Sequence, residues 1–153
     1  MIRPVKPIDA LEIKELFYSL SEKSVYERFM SYEKVMPPQL RNLMALDYER
    51  RMAFIAMVRE KERYVAVGVS SYETDLRTGY AEVSLQVLDE YQSKGLGGAL
   101  FEILMSYAKG LKLKGFTAEV LPTNSRMLNI FLRSGLNTHT HLEEDIIAVR
   151  MDF

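Results

Sequence analysis

The sequence contains no cysteine, only two histidines and no long run of apolar residues. Without cysteine the chain has no disulfide, no thiolate zinc site and no cysteine nucleophile. His139 and His141 lie two residues apart on a predicted late strand, but no third ligand is evident, so we expect no metal site. There is no signal-peptide pattern and no apolar segment long enough to cross a bilayer, so the cytoplasm is the expected compartment.

The sequence also lacks an excess of charge of either sign. Its 20 lysines and arginines nearly balance 21 aspartates and glutamates, giving a net charge of −1. We therefore expect neither nucleic acid nor a membrane surface as a partner. The chain has 153 residues, of which 48% are hydrophobic and 27% charged. This composition predicts one globular domain with a substantial core, over residues 1–153.

Hydrophobic periodicity and turn residues predict the order of secondary structure. Strands are predicted over residues 2–5, 52–58, 64–72, 80–88, 115–121, 136–141 and 145–151. Helices are predicted over residues 9–20, 24–29, 37–44, 96–113 and 124–134, with Asp9 and Ser24 as expected N-caps of the first two. The order indicates an α/β (α+β) protein with a mixed sheet and helices on both faces.

A glycine-rich turn between the fourth strand and the long helix is the most informative segment. Its sequence is Gln92-x-x-Gly95-x-Gly97-Gly98, and the helix that follows carries a continuous apolar stripe. The first turn of a helix has unpaired N–H groups and a partial positive charge. Glycine leaves no side chain between those N–H groups and a phosphate. The turn therefore predicts a site for a phosphate-bearing ligand.

Three other interpretations of this turn fit less well. A P-loop would carry Lys and Ser or Thr after its second glycine, where this chain has Gly98 and Ala99. A dinucleotide site would have glycine in place of Leu100, although Glu119 lies at a suitable distance for a ribose. Too little chain follows Glu119 for a doubly wound half. A tight turn without a ligand remains possible, but three glycines in four positions are costly in a helix's first turn.

The turn and its place between a Val-rich strand and an amphipathic helix resemble motif A of the GNAT acyltransferases, which bind acetyl-CoA. The resemblance spans the whole chain and implies a GNAT fold, a mixed, mostly antiparallel sheet with helices on both faces. It also implies that the amides of this turn hold the pyrophosphate of CoA. The residues concerned are Gln92, Ser93, Lys94, Gly95, Leu96, Gly97 and Gly98.

The same resemblance implies the rest of the donor site. The CoA arm would lie across splayed strands near Leu85 and Val87. Asn124 would cap the last helix and also contact the pantetheine arm, with capping alone as the alternative. Phe131 stands where many GNAT enzymes carry a tyrosine that protonates the leaving thiolate, and it could contact CoA from the core side. Because Phe131 lacks the hydroxyl, a dedicated general acid is not expected there.

Glu82 is the expected catalytic residue. Glu82, Ser84 and Gln86 alternate with apolar residues, which indicates a polar row facing a wet cleft. A carboxylate there could accept the proton that an attacking amine must lose, or could simply be a solvated group paired with Arg77 or a lysine. Residues 79–83 resemble the segment bearing the catalytic glutamate in bacterial protein lysine acetyltransferases, a GNAT branch, and residues 20–29 and 47–56 resemble the same branch.

The resemblance implies an acetyl-CoA-dependent N-acetyltransferase with a protein lysine as acceptor. Transfer would be direct, because a chain without cysteine cannot form an acyl-cysteine intermediate. One alternative is a small amine as acceptor, and another is a non-catalytic CoA-sensing module. In this branch the domain is often joined to a CoA enzyme or a nucleotide sensor. Since the sequence starts directly at its first strand, it could be a module excised from a larger protein.

Overall fold

A computed structural model of the protein describes residues 1–30 and 38–153. The helices of these segments are α1 (Ala10–Ser19), α2 (Glu22–Phe29), α3 (Pro38–Arg41), α4 (Leu96–Gly110) and α5 (Ser125–Leu132). The strands are β1 (Ile2–Pro4), β2 (Arg51–Glu60), β3 (Arg63–Thr74), β4 (Tyr80–Val87), β5 (Gly115–Val120), β6 (Asn137–Glu143) and β7 (Ile146–Asp152). None of the helices in these two segments is long and apolar enough to cross a membrane.

The seven strands form one sheet in the order β1-β2-β3-β4-β5-β7-β6. Every neighbouring pair is antiparallel except β4 and β5, which run parallel. The β4–β5 pairing covers only Tyr80 to Glu82 against Gly115 to Thr117. Beyond Glu82 the two strands separate, so the sheet opens at its middle. The predicted mixed and mostly antiparallel sheet is confirmed.

Strand β2 shows how the sheet buries two cores. Phe54 and its alternate neighbours pack with α4 and α5 on one face, and Ile55 and its alternate neighbours pack with α1 and α2 on the other. The second core contains Phe17 from α1 and Val25 from α2, and both are fully buried, as is Ile55. A strand that is apolar on both faces needs a helix layer on each side. Helices on both faces, as predicted, are confirmed.

Two glycines set the distance of α4 from its neighbours. A Cβ at Gly68 would lie 2.9 Å from Leu100 Cδ1, so α4 packs directly on the backbone of β3. A Cβ at Gly97 would lie 2.8 Å from Ile130 Cδ1 of α5. A side chain at Gly97 would therefore displace the end of the Ile130 side chain, so Gly97 allows α5 to pack closely against the start of α4.

Of the two N-caps predicted near the amino terminus, Asp9 is confirmed in its position and Ser24 is wrong. Helix α2 begins at Glu22, and the Oγ of Ser21, rather than Ser24, accepts from the Ser24 N–H at 3.1 Å. Asp9 precedes α1 but makes no capping bond to it, because its buried carboxylate binds the Arg3 guanidinium. Charge pairing in the interior outweighs a local cap. Helix α4 also ends three residues before the predicted residue 113, and the predicted helix over 37–44 begins outside the described residues.

Candidate functional site

The separation of β4 and β5 opens a cleft of about 1000 Å³ that reaches both faces of the sheet. Its walls come from α2, β4, the glycine turn, α4, β5 and α5. The predicted site residues that line it are Glu82, Leu85, Val87, Gln92, Ser93, Gly95, Gly97, Gly98, Asn124 and Phe131. Two predicted residues do not line it. The exposed ammonium of Lys94 lies 5.9 Å from the Tyr91 ring, and the Leu96 side chain packs against the core.

The backbone of β4 faces this cleft at Leu85 and Val87. The Leu88 N–H donates to the Val67 carbonyl at 2.8 Å, and Val87 lies opposite Gly68 in the antiparallel register. Hydrogen-bonded pairs alternate along antiparallel strands, so the N–H and C=O groups of Leu85 and Val87 point away from β3. They point towards β5, which has already separated there. The main-chain groups of Leu85 and the N–H of Val87 are therefore placed to bind an extended ligand between the strands, whereas the Val87 carbonyl already accepts from Gln92.

The glycine turn presents backbone N–H groups to one end of the cleft. Ser93 and Gly95 both have positive φ, of 59° and 87°, and α4 begins directly after them at Leu96. The N–H groups of Leu96, Gly97 and Gly98 have no partner within the helix. A Cβ at Gly98 would meet no atom within 4 Å, so the space in front of it is open. This geometry fits a phosphate group.

Gln92 fastens the turn to its surroundings. Its Nε2 donates to the Val87 carbonyl at 2.9 Å and to the Ser24 Oγ at 3.1 Å. Gln92 was predicted to bind the ligand, but its side-chain nitrogen donates its hydrogen bonds within the protein. Through it, the end of β4, the turn and α2 are held in one arrangement.

Asp89 reinforces the same connection. Its carboxylate accepts from the N–H and the Oγ of Ser21 at 3.1 and 2.7 Å, and from the Ser24 Oγ at 3.1 Å. Burial opposes the charge of Asp89, but the hydrogen bonds from Ser21 and Ser24 outweigh it and hold the pKa of this carboxyl below its ordinary value. Sequence reasoning missed Asp89 because its partners lie more than sixty positions away.

Glu82 faces a cation that the sequence did not indicate. The carboxylate is exposed, and the half-buried Arg28 of α2 lines the same cleft. Burial lowers the pKa of Arg28 to about 10, and the charge of Glu82 acts in the opposite direction. Arg77, the partner considered for Glu82, instead pairs with Asp75 at 3.3 Å. No local sequence pattern identifies Arg28, because its approach to Glu82 depends on how α2 packs over β4.

The polar row on β4 is confirmed, and Glu82, Ser84 and Gln86 all line the cleft. The Oγ atoms of Ser84 and Ser71 lie 2.8 Å apart and share a hydrogen bond. Gln86 is only 7% exposed, and neither its Nε2 nor its Oε1 has a hydrogen-bond partner among the described residues. A buried carboxamide without partners is costly and needs an explanation.

A smaller groove of about 350 Å³ adjoins the cleft on the sheet surface beside α2. Glu82 and Glu119 line both cavities, and the groove continues past Arg150, His139 and His141 of β7 and β6. Glu119, Arg150 and both histidines are exposed. The cleft therefore opens from Glu82 onto a broad polar strand surface.

Asn124 and Phe131 form part of the α5 wall. The Oδ1 of Asn124 accepts from the Met127 N–H at 3.3 Å, so the predicted cap of α5 is confirmed. Phe131 is 1% exposed and its ring lies 5.3 Å from that of Phe101. Over residues 1–30 and 38–153 we find no cluster of three or more metal-ligating side chains, and the His139 Nε2 pairs with Asp152 at 3.3 Å.

Comparison with known proteins places the chain in a family. The model of the acetyltransferase (GNAT) family matches residues 13–136. An acetyltransferase of Pseudomonas aeruginosa is 31% identical over 110 residues, which are 71% of this chain and 59% of that protein. The acetyltransferase Pat of Mycolicibacterium smegmatis is 29% identical over 138 residues, 88% of this chain and 40% of that protein.

Solved structures share the fold. The GNAT domain of PAT from S. lividans superposes with a TM-score of 0.86 at 23% identity, over 99% of this chain and 89% of that one. A Salmonella typhimurium protein, yncA, solved with its cofactor acetyl-CoA, superposes with a TM-score of 0.76 at 17% identity, over 99% of this chain and 92% of that one.

A split sheet with a glycine turn and unpaired helix N–H groups at the opening defines a class of domain suited to a phosphate-bearing ligand. The chain belongs to the GNAT family of acetyltransferases. The predicted fold and enzyme class are thus confirmed, with acetyl-CoA as the acetyl donor of the family. The chain spans 59% and 40% of the length of the two curated relatives.

Proposed function

We propose that this domain transfers the acetyl group of acetyl-CoA to the side-chain amine of a lysine in a protein, with Glu82 as the base. The observation that carries the proposal is the position of Glu82, which lines both the main cleft and the adjoining groove. Donor and acceptor can therefore approach this carboxylate from two directions.

The donor side follows from the backbone geometry. The pyrophosphate binds the free N–H groups at the start of α4, within the segment from Gln92 to Gly98. Lys94 and Leu96 contribute through their main chain, because their side chains lie outside the cleft lining. The pantetheine arm lies along the main-chain groups of Leu85 and Val87, with Asn124 and Phe131 on the opposite wall.

The chemistry that this chain supplies is proton removal and stabilisation of charge. The acceptor ammonium loses one proton to Glu82, directly or through a water, and its nitrogen loses a second proton to solvent or to the departing thiolate once the new bond has formed. Its nitrogen forms a bond to the carbonyl carbon while the carbon–sulfur bond breaks, and CoA leaves as the thiolate. Backbone N–H groups of β4 near Val87 stabilise the charge that develops on the carbonyl oxygen. A thiolate is a tolerable leaving group, so CoA can depart although Phe131 has no hydroxyl to donate a proton.

The acceptor side carries charges of both signs. Glu82 and Glu119 contribute two carboxylates at the point where the cleft meets the groove, while Arg28 lines the cleft and Arg150 lines the groove. The two carboxylates can hold a lysine ammonium beside Glu82. Most of the side chains that line the groove are exposed, so a polypeptide can reach it. The resemblance of residues 79–83 to the glutamate segment of bacterial lysine acetyltransferases supports lysine as the acceptor.

Replacing Glu82 with glutamine tests the proposed base. Glu82→Gln keeps the size of the side chain but removes the proton acceptor, so turnover of a lysine peptide should fall roughly 10²–10⁴-fold. The loss should shrink as the pH rises, because more of the amine arrives already neutral. The affinity for acetyl-CoA, measured by calorimetry, should stay nearly the same.

Glu73→Gln is the matched control. Glu73 lies directly opposite Glu82 on β3 but pairs with Arg51 at 3.0 Å and lines neither cavity. Its replacement should leave turnover within about twofold. Equal activity of Glu82→Gln and the wild type at every pH would remove Glu82 from the mechanism. A free amine acetylated as efficiently as the peptide would instead favour a small-molecule acceptor.

A further inference from the structure

Gln86 is a buried polar side chain that the proposed mechanism leaves without a role. It is 7% exposed, lies next to Val69 on the face of the sheet covered by α2, and lines the cleft. Its Nε2 and Oε1 both lack partners among the described residues. A carboxamide can both donate and accept, so two unmet groups point to a ligand that offers one of each.

The position of Gln86 shows which groups those are. The main-chain groups of its neighbours Leu85 and Val87 point into the opening between β4 and β5, while its own side chain stands on the same face as Glu82. Four residues of strand separate the Cα atoms of Glu82 and Gln86 by about 13 Å. Both side chains line the same cleft, so an amine that approaches Glu82 enters the cavity that Gln86 also borders. Gln86 thus lies at the boundary between the donor and acceptor sides.

We propose that Gln86 bridges the two substrates: Nε2 donates to the carbonyl oxygen of the acetyl group, and Oε1 accepts from an N–H of the acceptor amine. This inference rests on the proposed function for the directions from which donor and acceptor arrive. The bridge orients the nitrogen lone pair towards the carbonyl carbon, a positional gain that enzymes use to accelerate transfer. It also explains why this core position holds glutamine rather than an apolar residue.

Gln86→Met tests the bridge, because methionine has a similar volume and no amide. Removing an unpaired buried carboxamide should raise the midpoint of thermal unfolding by roughly 2–4 °C. The kcat/KM for the acceptor should fall at least about tenfold, while the affinity for CoA stays within about twofold. A purely structural glutamine would give the stabilisation without the loss of kcat/KM, and that result would overturn the proposal.

Thr74→Val is the matched control. The Oγ1 of Thr74 is also buried without a partner among the described residues, on the strand next to β4, but Thr74 lines neither cavity. Its isosteric replacement should stabilise the fold or leave it unchanged, with wild-type kinetics. Kinetic losses of the same size in both variants would overturn the bridge, because they would trace to the strand rather than to Gln86.

A measurement on the wild-type protein needs neither a variant nor an acceptor. The side-chain amide resonance of Gln86, assigned through bonds in a ¹⁵N-labelled sample, should shift more with acetyl-CoA than with CoA. Identical responses to the two ligands would contradict the contact with the acetyl oxygen. This comparison is independent of Glu82 and of lysine as acceptor. A silent Glu82→Gln variant would therefore overturn the proposed function and leave the result for Gln86 standing.

Discussion

At the scale of single residues, Asp9 shows how much a buried charge depends on its partner. Arg3 donates two hydrogen bonds to it, at 2.7 and 2.8 Å, and the Lys6 N–H donates a third at 2.7 Å. The hydrogen bonds from Arg3 are the main reason that the pKa of Asp9 lies below its ordinary value. This arrangement ties β1 to the start of α1 and so fixes one edge of the sheet.

Asp9→Asn should lower the free energy of unfolding by roughly 2–3 kcal/mol at pH 7, because it leaves Arg3 with an uncharged partner in a largely buried site. Since the pKa of Asp9 is lowered by folding, its contribution is present above an ordinary aspartate pKa of about 4. It is lost as the pH falls below that value through the folded pKa. Urea unfolding at pH 7 and pH 3 should therefore show a difference that shrinks in acid.

An exposed ion pair of the same length provides the comparison. Arg63 and Glu15 also approach to 2.7 Å, but their side chains are 65% and 43% exposed. Glu15→Gln should change the free energy of unfolding by less than about 1 kcal/mol. Similar losses for Asp9→Asn and Glu15→Gln would show that burial does not govern these pairs.

At the scale of elements, the start of α4 both packs against α5 and borders the cleft. A Cβ at Gly97 would displace the end of the Ile130 side chain, whereas Gly98 faces open space in the cleft. A substitution at Gly97 would disturb the α4–α5 contact as well as any ligand. Gly98 is therefore the position at which phosphate binding can be tested alone.

Gly98→Asp should weaken acetyl-CoA binding at least about tenfold, because it places a carboxylate where the pyrophosphate binds. The fold should not suffer, since Asp replaces a helical glycine and lies favourably at a helix N-terminus. Calorimetry and thermal unfolding measure the two effects separately. Gly110→Asp, at the other end of α4 with no atom within 4 Å of its Cβ, should leave the affinity unchanged. Unaltered affinity in Gly98→Asp would refute the phosphate assignment.

At the scale of the whole molecule, the cleft divides a sheet whose two faces carry separate cores. Asp89 and Gln92 connect the two sides, because both bind Ser24 of α2 while the turn continues into α4. The acceptor-side helix α2 and the donor-side turn therefore share one hydrogen-bond network. We expect the two substrate sites to be coupled through it.

Asp89→Asn should loosen α2, because an amide cannot accept all the hydrogen bonds that Ser21 and Ser24 donate to the carboxylate. Amide hydrogen exchange over residues 22–29 should accelerate several-fold, and the KM values for donor and acceptor should rise together. Asp75→Asn removes a carboxylate of the β3–β4 turn, which accepts from Arg77, and should leave α2 unaffected. Unchanged exchange in α2 would show that Asp89 does not hold it.

Much of the site was predictable because its signals are local. The glycine turn, the stripe on α4, the polar row from Glu82 to Gln86 and the Asn124 cap are patterns of a few adjacent residues. The same short-range logic misplaced the cap of α2 at Ser24, and at Asp9 it found the cap position but not the role of the side chain. The Asp9 carboxylate binds Arg3, and the Ser24 hydroxyl donates to Asp89. The sequence alone does not show that these residues lie close together.

By itself the sequence determined the order of elements, the position of the glycine turn and the family, because periodicity and glycine placement act over single turns and strands. The tertiary structure decided the rest. Only packing places Arg28 opposite Glu82, buries the Gln86 carboxamide without a partner among the described residues and separates β4 from β5 after Glu82. Each of these features joins residues far apart in the chain, and their proximity is set by the burial of two cores on one split sheet.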